Sequence, residues 1–264
     1  MDLALGGKVA FVTGGSEGIG EGICLELARE GASVAVCARR AGPLDALASK
    51  LASFGVPYLT LQADVTRRED IDRAVDSVTD RLGPIDILVN NAGGGATGTH
   101  SVEDADEVWE QCYAINLWPC IRVTRRVFAQ MKERRNGNVI IIASVGGHTA
   151  GWPGVSDYSS AKGAQLLLTK NWALDFAPAG IRVNAVNPGF IRTPLWEALA
   201  KDFIPQRGKD IEEVFASLTA ELPARRMGTP AEVGRVVAFL ASDAAAGFIT
   251  GACWDVDGGY THKI

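Results

Sequence analysis

The chain has 264 residues, with 26 Lys and Arg against 31 Asp and Glu, so its formal net charge is −5. A chain of this length buries enough surface to hold a core without disulfides or a metal. Its negative charge, without any long block of like charges, argues against a nucleic-acid arm or a basic membrane patch. Glycine is the unusual component: the 30 glycines are about 11% of the chain, against about 7% in an average protein.

Several further classes of protein are excluded by the apolar and cysteine patterns. No apolar run approaches the roughly 18 to 20 residues of a membrane span, and the longest, 139–143, has the length of a strand. The N-terminus lacks the charge and apolar core of a secretory signal. The 5 Cys form no Cys-x-x-Cys pair and the 3 His lie far apart. We therefore expect no disulfide framework, no metal site, no membrane or nucleic-acid partner, and a reducing, cytoplasmic location.

Apolar runs of strand length alternate with amphipathic helical segments along the chain. The predicted strands are 8–13, 33–37, 58–62, 85–89, 138–143, 181–185 and 253–256. The predicted helices run from the first glycine-rich turn to Gly31 and over 44–54, 68–81, 105–134, 156–176 and 232–241, with an irregular helical stretch from 193 to about 221. We expect Pro205 and Gly208 to interrupt that last stretch.

Seven strands separated by helices predict βαβ units and a mostly parallel sheet. The strands are continuous apolar runs, as expected when helices cover both faces of the sheet. The prediction is an α/β, doubly wound, Rossmann-type fold in a single domain over 1–264. The poorly patterned segment at about 193–226 is predicted to be a substrate lid.

A glycine-rich turn follows the first predicted strand and leads directly into a helix. Its glycines, Gly14, Gly18 and Gly20, have the spacing Gly-x-x-x-Gly-x-Gly. Glycines at such a turn let backbone N–H groups approach a pyrophosphate, and the helix N-terminus favours the anion. Dinucleotide binding is thus predicted for Gly14, Ser16, Glu17, Gly18, Ile19 and Gly20. The alternative is a strand-to-helix turn that binds nothing.

The end of the second strand bears on the choice of dinucleotide. An NAD site is expected to have Asp or Glu there for the ribose hydroxyls, but the sequence has Arg39 and Arg40. Guanidinium groups suit a phosphate, so these residues favour NADP(H), with NAD(H) as the less favoured alternative. Glu17 argues against NADP(H) because it adds negative charge to the turn. The two arginines are alternatively the solvated start of a helix.

At this point the chain resembles the short-chain dehydrogenase/reductase family over essentially its whole length, from Lys8 to Gly259. The glycine turn, the Tyr-x-x-x-Lys pair and the Asn-Asn-Ala-Gly run after the fourth strand all match the family's pattern. By this resemblance the catalytic residues are Asn116, Ser144, Tyr158 and Lys162. The resemblance also implies further cofactor contacts, which are Asp64, Val65, Asn91, Ala92, Gly93, Tyr158, Lys162, Pro188, Gly189, Ile191 and Thr193.

The residue types of this set fit one chemistry. Hydride transfer at a carbinol carbon requires a general acid/base at the oxygen. A free tyrosine, with a pKa near 10, is a weak base at neutral pH, but Lys162 lies one helical turn after Tyr158 on the same face. Its ammonium, together with an oxidised nicotinamide, is expected to lower the pKa of that phenol. Ser144 is expected to bind the substrate oxygen. The family resemblance further implies that Asn116 supports a water that links Lys162 to solvent.

The substrate is only loosely indicated. His148, Trp152 and Trp196 are candidates for the pocket, with core packing or a subunit interface as the alternative. The pattern is most similar to 3-oxoacyl-thioester (acyl-carrier-protein) reductases, for which Arg134 and Arg135 would have to lie beside the cleft. Ala179 departs from the basic residue usual in those enzymes, so sugar, polyol, steroid or other secondary-alcohol substrates stay open.

The function predicted from sequence is an NADP(H)-dependent oxidoreductase that interconverts a carbonyl and a secondary alcohol of a small molecule. The alternatives are a non-catalytic NADP-binding regulatory protein, and an epimerase or dehydratase on the same fold. The family resemblance also implies a homotetramer, or a homodimer, formed through the two long helices and the C-terminal strand.

Overall fold

The structure is a computed structural model that describes residues 2–94, 103–149, 154–220 and 222–261. In these residues seven parallel strands form one sheet in the order β3-β2-β1-β4-β5-β6-β7. The strands are β1 (Val9–Thr13), β2 (Ser33–Ala38), β3 (Tyr58–Gln62), β4 (Ile87–Asn90), β5 (Gly137–Ile142), β6 (Ile181–Pro188) and β7 (Cys253–Val256).

Helices follow the strands and cover both faces of the sheet. They are α1 (Gly18–Arg29), α2 (Ala41–Leu51), α3 (Arg68–Leu82), α4 (Asp106–Asn116), α5 (Trp118–Arg134), α6 (Ser156–Phe176), α7 (Pro194–Arg207), α8 (Ile211–Thr219), α9 (Pro230–Ala241) and α10 (Asp243–Ala246). Single 3₁₀ turns lie at Ala52–Phe54, Val145–Gly147 and Ala177–Ala179. None of the helices in the described residues combines the length and the hydropathy required to cross a bilayer.

Two apolar cores lie on opposite faces of the sheet. Along β1, Ala10 and Val12 contribute to one core and Val9 and Phe11 to the other, because successive side chains of a strand point to opposite faces. The first core packs under α1, α2 and α9, and the second under α3, α5 and α6. The predicted doubly wound, Rossmann-type α/β fold is therefore confirmed, and every strand pairing that the structure describes is parallel.

The strand order reverses direction at β1. From this strand the chain builds outward to β2 and β3 on one side, then returns to place β4 on the other. The loops that leave the carboxyl ends of β1 and β4 consequently diverge, and open α/β sheets bind ligands in the crevice between such loops.

The prediction of one helix over 105–134 is wrong, because the helix is divided at Leu117. Pro119 is the reason. A proline has no N–H to donate to the carbonyl four residues earlier, here that of Ile115, and its ring crowds that carbonyl. The chain accordingly ends α4 at Asn116, and Leu117 serves as the N-cap of α5 with a φ of −107°.

Two other boundaries also differ from prediction. Pro205 does not interrupt the irregular stretch: it lies in the last turn of α7, and the break comes only after Arg207. In addition, β6 continues past Ala185 to Pro188, which is paired with Val256 of β7. A proline is tolerated there because β5 ends opposite Val186, so the missing N–H of Pro188 faces no strand partner.

Candidate active site

The predicted phosphate turn lies between β1 and α1, and its glycines are required by close packing. Gly14 has a φ of +63° and Gly18 a φ of +57°, which side chains rarely adopt. A Cβ on Gly14 would lie 2.8 Å from the Cα of Ala92. The N-cap, Glu17, makes no side-chain capping bond to the first turn of α1. Backbone N–H groups at that helix end are therefore free of a side-chain acceptor, as an anion site requires.

Asn91 holds this turn against the loop after β4. Its side-chain amide donates to the carbonyls of Thr13 and Gly14, both at 2.9 Å. The Thr13 hydroxyl in turn accepts from the backbone N–H groups of Asn91 and Ala92, both at 3.1 Å. The Asn-Ala-Gly motif therefore joins the glycine turn to the end of β4, and its contact with the cofactor stays a prediction.

The two arginines after β2 have different surroundings. Arg40 forms an ion pair with Glu17, so the carboxylate that argued against a phosphate ligand is neutralised by a neighbouring guanidinium. Arg39 is exposed at the carboxyl end of β2, where its backbone carbonyl accepts from Gln62 at 3.0 Å. Of the pair, Arg39 is thus the better placed for a ligand phosphate.

Asp64 and Val65 follow β3 at the same edge. The Asp64 carboxylate accepts from the backbone N–H and the hydroxyl of Thr66, at 2.9 and 2.8 Å, and this turn fixes the loop. Val65 is buried in the second core. The predicted contact of Asp64 and Val65 with the adenine stays a prediction.

Ser144 and Tyr158 meet where β5 ends and α6 begins. Ser144 follows β5 and accepts from the N–H of Gly146 at 3.1 Å, which holds its hydroxyl at the start of a 3₁₀ turn. Its side chain also bonds to that of Tyr158. Burial raises the pKa of the Tyr158 phenol above its usual value, and the bond to Ser144 opposes this rise. The expected depression of that pKa is therefore absent from the protein by itself.

Lys162 lies beneath this pair, one turn along α6. Its ammonium is buried, with 4% of the residue exposed, and donates to the carbonyl of Ile142 at 2.9 Å. It lies 5.7 Å from the centre of the Tyr158 ring. Burial lowers the pKa of Lys162 to about 8. The 3₁₀ turn packs closely against α6 because residue 147 is a glycine: a Cβ on Gly147 would lie 2.8 Å from the Lys162 carbonyl carbon.

Asn116 ends α4 within the same cluster. Its side chain both accepts from and donates to the backbone of Gly94, at 3.2 Å in each case. A Cβ on Gly93 would lie 2.8 Å from the Asn116 Oδ1 and 3.5 Å from the Lys162 Nζ. The side chain of Asn116 therefore orders the loop after β4, while its water-supporting role stays a prediction.

Gln165 is a residue of this cluster that the sequence analysis missed. It is 1% exposed and accepts from the Lys162 Nζ at 3.2 Å. Its own amide N–H donates to the backbone carbonyl of Asn116 at 2.6 Å. A polar residue at the i+3 position from a lysine, on a helix face that is otherwise buried, is the signal that would have found it.

The end of β6 reaches the glycine turn from the opposite side. The Gly189 N–H donates to the Val256 carbonyl at 3.1 Å, and Ile191 is buried. Thr193 caps α7 by accepting from the Trp196 N–H at 3.3 Å. A Cβ on Gly18 would lie 3.2 Å from the Thr193 methyl group, so these two predicted cofactor contacts face one another.

His148 is engaged by protein groups. Its Nε2 lies 3.0 Å from the Asp255 carboxylate and its Nδ1 lies 3.3 Å from the Thr149 hydroxyl. Asp255 also accepts from Asn187 at 2.8 Å and from Thr261 at 2.8 Å. The histidine consequently ties the loop after β5 to the C-terminal segment, and both of its ring nitrogens are occupied in this arrangement.

The aromatic candidates for the pocket divide into a packed residue and one outside the described structure. Trp196 is half-buried and lies 5.3 Å from Phe190, which in turn contacts Tyr260 edge-on at 5.4 Å. Trp152 lies outside the described residues. Around Trp196, α7 and α8 form a small apolar cluster of their own, with Ala200, Val214, Phe215 and Leu218 at its centre.

Arg134 and Arg135 are not beside the candidate site, so the expectation that they flank the cleft is wrong. They precede β5, at the amino edge of the sheet, whereas the site lies at the carboxyl edge. Arg134 donates to the Asp86 carboxylate at 2.7 Å, and Arg135 donates to the Pro178 carbonyl at 2.9 Å. Their guanidinium groups are thus used to join loops of this chain.

No group of three or more His, Cys, Asp or Glu side chains in the described residues has the arrangement of a metal site. What converges at the carboxyl edge is a glycine turn at a helix N-terminus and a Ser–Tyr–Lys cluster. Together with the doubly wound sheet, these features define the class of dinucleotide-binding oxidoreductases.

Comparison with known proteins specifies the family. The family model described as "short chain dehydrogenase" matches residues 8–203. The oxidoreductase UcpA of Salmonella typhimurium is 37% identical over 97% of this chain and 95% of its own. The 3-oxoacyl-[acyl-carrier-protein] reductase FabG of Thermotoga maritima is 35% identical over 97% of this chain and 99% of its own. The chain belongs to the short-chain dehydrogenase/reductase family.

A solved structure agrees with the fold over its full length. The L-sorbose reductase of Gluconobacter frateurii, in a complex with NADPH and L-sorbose, superposes with a TM-score of 0.94 at 34% identity. The match covers 100% of both chains. The two proteins therefore share the same fold.

Proposed function

We propose that this oxidoreductase uses NADP(H) to interconvert a ketone and a secondary alcohol. The observation that carries the proposal is the Ser144–Tyr158 contact directly above the buried ammonium of Lys162. This cluster lies at the edge of the sheet where the glycine turn lies, so a dinucleotide and a carbonyl compound would meet there. The alternative, a regulatory protein without catalysis, leaves the assembly of these three side chains unexplained.

The glycine turn, the uncapped start of α1 and Arg39 fit a dinucleotide with an additional phosphate. When bound, the cofactor supplies or accepts a hydride at the carbinol carbon. In the reduction direction Tyr158 would donate its hydroxyl proton to the substrate oxygen, and Ser144 would hold that oxygen by a hydrogen bond. The charge of Lys162 would stabilise the phenolate that remains.

The two directions of the reaction require different protonation states of Tyr158. Because burial raises the pKa of this phenol, it is protonated at neutral pH and ready to act as an acid. Alcohol oxidation requires the phenolate instead. That form gains stability from the positive charge of an oxidised nicotinamide nearby.

The decisive experiment compares wild type with Tyr158→Phe. We expect the variant to bind NADPH as wild type does and to lose between about 10²- and 10⁴-fold in turnover, because the acid/base group is gone while the ring remains. Tyr113→Phe is the matched control: it removes a hydroxyl that bonds Ser160 at 2.9 Å on the neighbouring face of α6. Near-wild-type turnover in Tyr158→Phe would disprove the mechanism.

The substrate class is proposed to be a small ketone, including ketoses, in preference to a thioester on an acyl-carrier protein. Full-length similarity to a reductase of L-sorbose supports the former. The use of Arg134 and Arg135 in internal contacts at the amino edge weakens the latter. A screen of ketoses, cyclic ketones and 3-oxoacyl thioesters with NADPH, followed by nicotinamide absorbance, tests this choice. NADPH binding without turnover of any of them would favour the regulatory alternative.

The preference for NADP(H) is proposed to depend on Arg39. Arg39→Asp is expected to reduce kcat/KM for NADPH by about 10²-fold, since it replaces a charged hydrogen-bond donor with a repelling carboxylate. Glu17→Gln is the complementary variant, because it frees Arg40 and is expected to strengthen NADPH binding. A wild-type protein that uses NADH more efficiently than NADPH would reject this assignment.

We also propose that residues 1–264 form one domain, in which α7 and α8 act as a lid. In addition, we propose that copies of this chain associate with one another through α5 and α6. Leu167 and Leu174 are 64% and 76% exposed on α6, while Phe128 and Trp172 pack against Phe176 inside the chain. A homotetramer, or a homodimer, would cover the two leucines. Sedimentation of wild type and of Leu167→Glu with Leu174→Glu tests this. A wild-type monomer at micromolar concentration would contradict it.

A further inference from the structure

Gln165 joins two parts of the active-site cluster that are distant in sequence. It lies on α6, one turn after Lys162, and is 1% exposed. One end of its amide faces the Lys162 ammonium at 3.2 Å, and the other faces the Asn116 carbonyl at 2.6 Å. That carbonyl belongs to the last residue of α4, directly before the break at Leu117. The amide therefore spans from the lysine to the division between α4 and α5.

The chemistry of the two partners determines which way the amide points. An ammonium can only donate a hydrogen bond and a carbonyl can only accept one. The Gln165 oxygen must therefore face Lys162, and its nitrogen must face Asn116. A carboxylate at this position would lose the donor to Asn116, and an apolar side chain would lose both bonds. Only a side-chain amide of this length satisfies both partners and adds no charge.

Among the described residues, the groups that accept a hydrogen bond from the ammonium carry no charge. Its two acceptors, the Ile142 carbonyl and the Gln165 amide oxygen, are both neutral. Burial raises the pKa of Cys112 on α4 to about 11 and that of Cys120 on α5 to about 12, so both thiols facing the lysine are uncharged at neutral pH.

On α6 itself, the neighbouring titratable groups are Tyr158 and Asp157. The Asp157 carboxyl bonds to the Tyr158 N–H at 2.7 Å and to the Cys112 thiol. Since the described acceptors of the ammonium are neutral, its charge acts on the Tyr158 ring, which lies 5.7 Å away. A charged group in such a buried place needs hydrogen-bond acceptors to stay ionised.

We propose that Gln165 is a positioning residue, which holds the Lys162 ammonium beneath Tyr158 and helps to keep it charged without neutralising it. The proposal deepens the function proposed above and rests on it for its catalytic consequence. The ionisation of Lys162, however, is a property of the protein that can be measured without a substrate.

The first test is an NMR titration of the protein labelled with ¹³C at the lysine side chains. The Lys162 signal is assigned by its loss in Lys162→Arg. In Gln165→Met the pKa of Lys162 is expected to fall by about one unit, because a hydrogen bond to the charged form is lost. In Gln165→Glu the pKa is expected to rise by at least about one unit, because a carboxylate adjoins the ammonium.

Thr169→Val is the control for loss of a buried polar group on the same face of α6. Thr169 is 0% exposed and donates to the Gln165 backbone carbonyl at 2.9 Å, about two turns away from Lys162. Its removal is expected to leave the Lys162 titration unchanged. An unchanged titration in Gln165→Met, or the same shift in Thr169→Val, would overturn the proposal. Should Gln165→Met fail to fold, an unchanged titration in Gln165→Glu overturns it equally.

The second test measures kcat/KM and its pH profile for ketone reduction. A one-unit fall from the wild-type pKa of about 8 discharges only part of the lysine at pH 7, so Gln165→Met is expected to lose about twofold there and about tenfold near pH 9. Gln165→Glu is expected to lose about tenfold at neutral pH, because its carboxylate cancels the field of the ammonium at Tyr158. The two variants thus shift the pKa of Lys162 in opposite directions while both lose activity. A loss of protein stability alone would not produce this combination. If no ketone is reduced by wild type, the proposed function fails, while the titration still decides the role of Gln165.

Discussion

The loops at the carboxyl edge of the sheet divide into two sides that are held by different kinds of contact. The glycine rim, residues 13–20 and 90–94, is held by bonds between backbone groups and the side chains of Thr13 and Asn91. The ion-pair rim, residues 145–149, 190–219 and 255–261, contains exposed charged pairs such as Arg192–Glu212 at 2.6 Å, together with the hydrogen bonds of Asp255 and the apolar cluster of α7 and α8. Both rims surround the same crevice.

The bonds of the glycine rim are partly buried, whereas the charged pairs of Arg192 are exposed. A polar bond out of contact with water is costly to break, since it leaves an unpaired group behind. An exposed ion pair contributes only about 0–1 kcal/mol, because water replaces it. We therefore expect the contacts of the glycine rim to contribute more to stability than the charged pairs of the ion-pair rim. The following variants test this contrast.

The largest effect is expected for Asn91→Ala in the glycine rim. The change leaves the Thr13 and Gly14 carbonyls without their donor, and we expect the free energy of unfolding to fall by about 3 kcal/mol. Urea unfolding measures this loss, and calorimetric titration measures the weakening of NADPH binding. Asn171→Ala, at an exposed position of α6, is the matched control and is expected to have little effect. A loss of less than about 1 kcal/mol for Asn91→Ala would contradict the contrast.

A smaller effect on stability is expected for Arg192→Ala in the ion-pair rim. This side chain pairs with Glu197 and Glu212 and lies 5.3 Å from the Phe215 ring, with nearly half of its side chain exposed. We expect at most about 1 kcal/mol of lost stability, and a several-fold higher KM for the ketone at constant NADPH affinity. The control is Arg125→Ala, an exposed arginine of α5. A fall in NADPH affinity similar to that in Asn91→Ala would show that the two rims are not separate.

The smallest effect is expected for the stability of the fold at acidic pH, through Glu232. Arg226 and the N–H of Thr229 lower the pKa of Glu232 to about 2, where the segment after α8 enters α9. Because the folded pKa lies below the unfolded value, the ionised carboxylate stabilises the fold above about pH 4.5. That contribution is lost as the pH falls through 2.

We therefore expect Glu232→Gln, which keeps the capping geometry but not the charge, to be less stable than wild type at pH 6 by under about 1 kcal/mol. The gap should narrow as the pH falls towards 3. Chemical unfolding at a series of pH values measures it, and a gap that widens on acidification would show that the sign is wrong.

Elements with local signals were predictable from the sequence. The seven strands, the helix after Gly14–Gly20 and the Tyr158–Lys162 pair depend on periodicities of two and of 3.6 residues and on glycine spacing, which local sequence contains. The family resemblance then added Asn91 and Ser144. The break at Leu117 had a local signal as well, in Pro119, but the apolar pattern continued across it.

Other features depend on contacts that local sequence does not record. Arg134 bonds to the carboxylate of Asp86, 48 residues away, and His148 bonds to that of Asp255, 107 residues away. Gln165 matches no local motif, because its partner is the carbonyl of Asn116 at the end of α4, 49 residues earlier in the chain. In each case the partner is brought close only by the crossing of helices over the sheet.

The sequence by itself determined the order of strands and helices, the glycine turn and the types of reactive side chain, because each follows from spacing along the chain. The pairing of Glu17 with Arg40, and the neutral acceptors that Lys162 has among the described residues, follow only from the tertiary structure. The physical reason is that burial and pairing set the energy of a charge, and both are properties of neighbours in space.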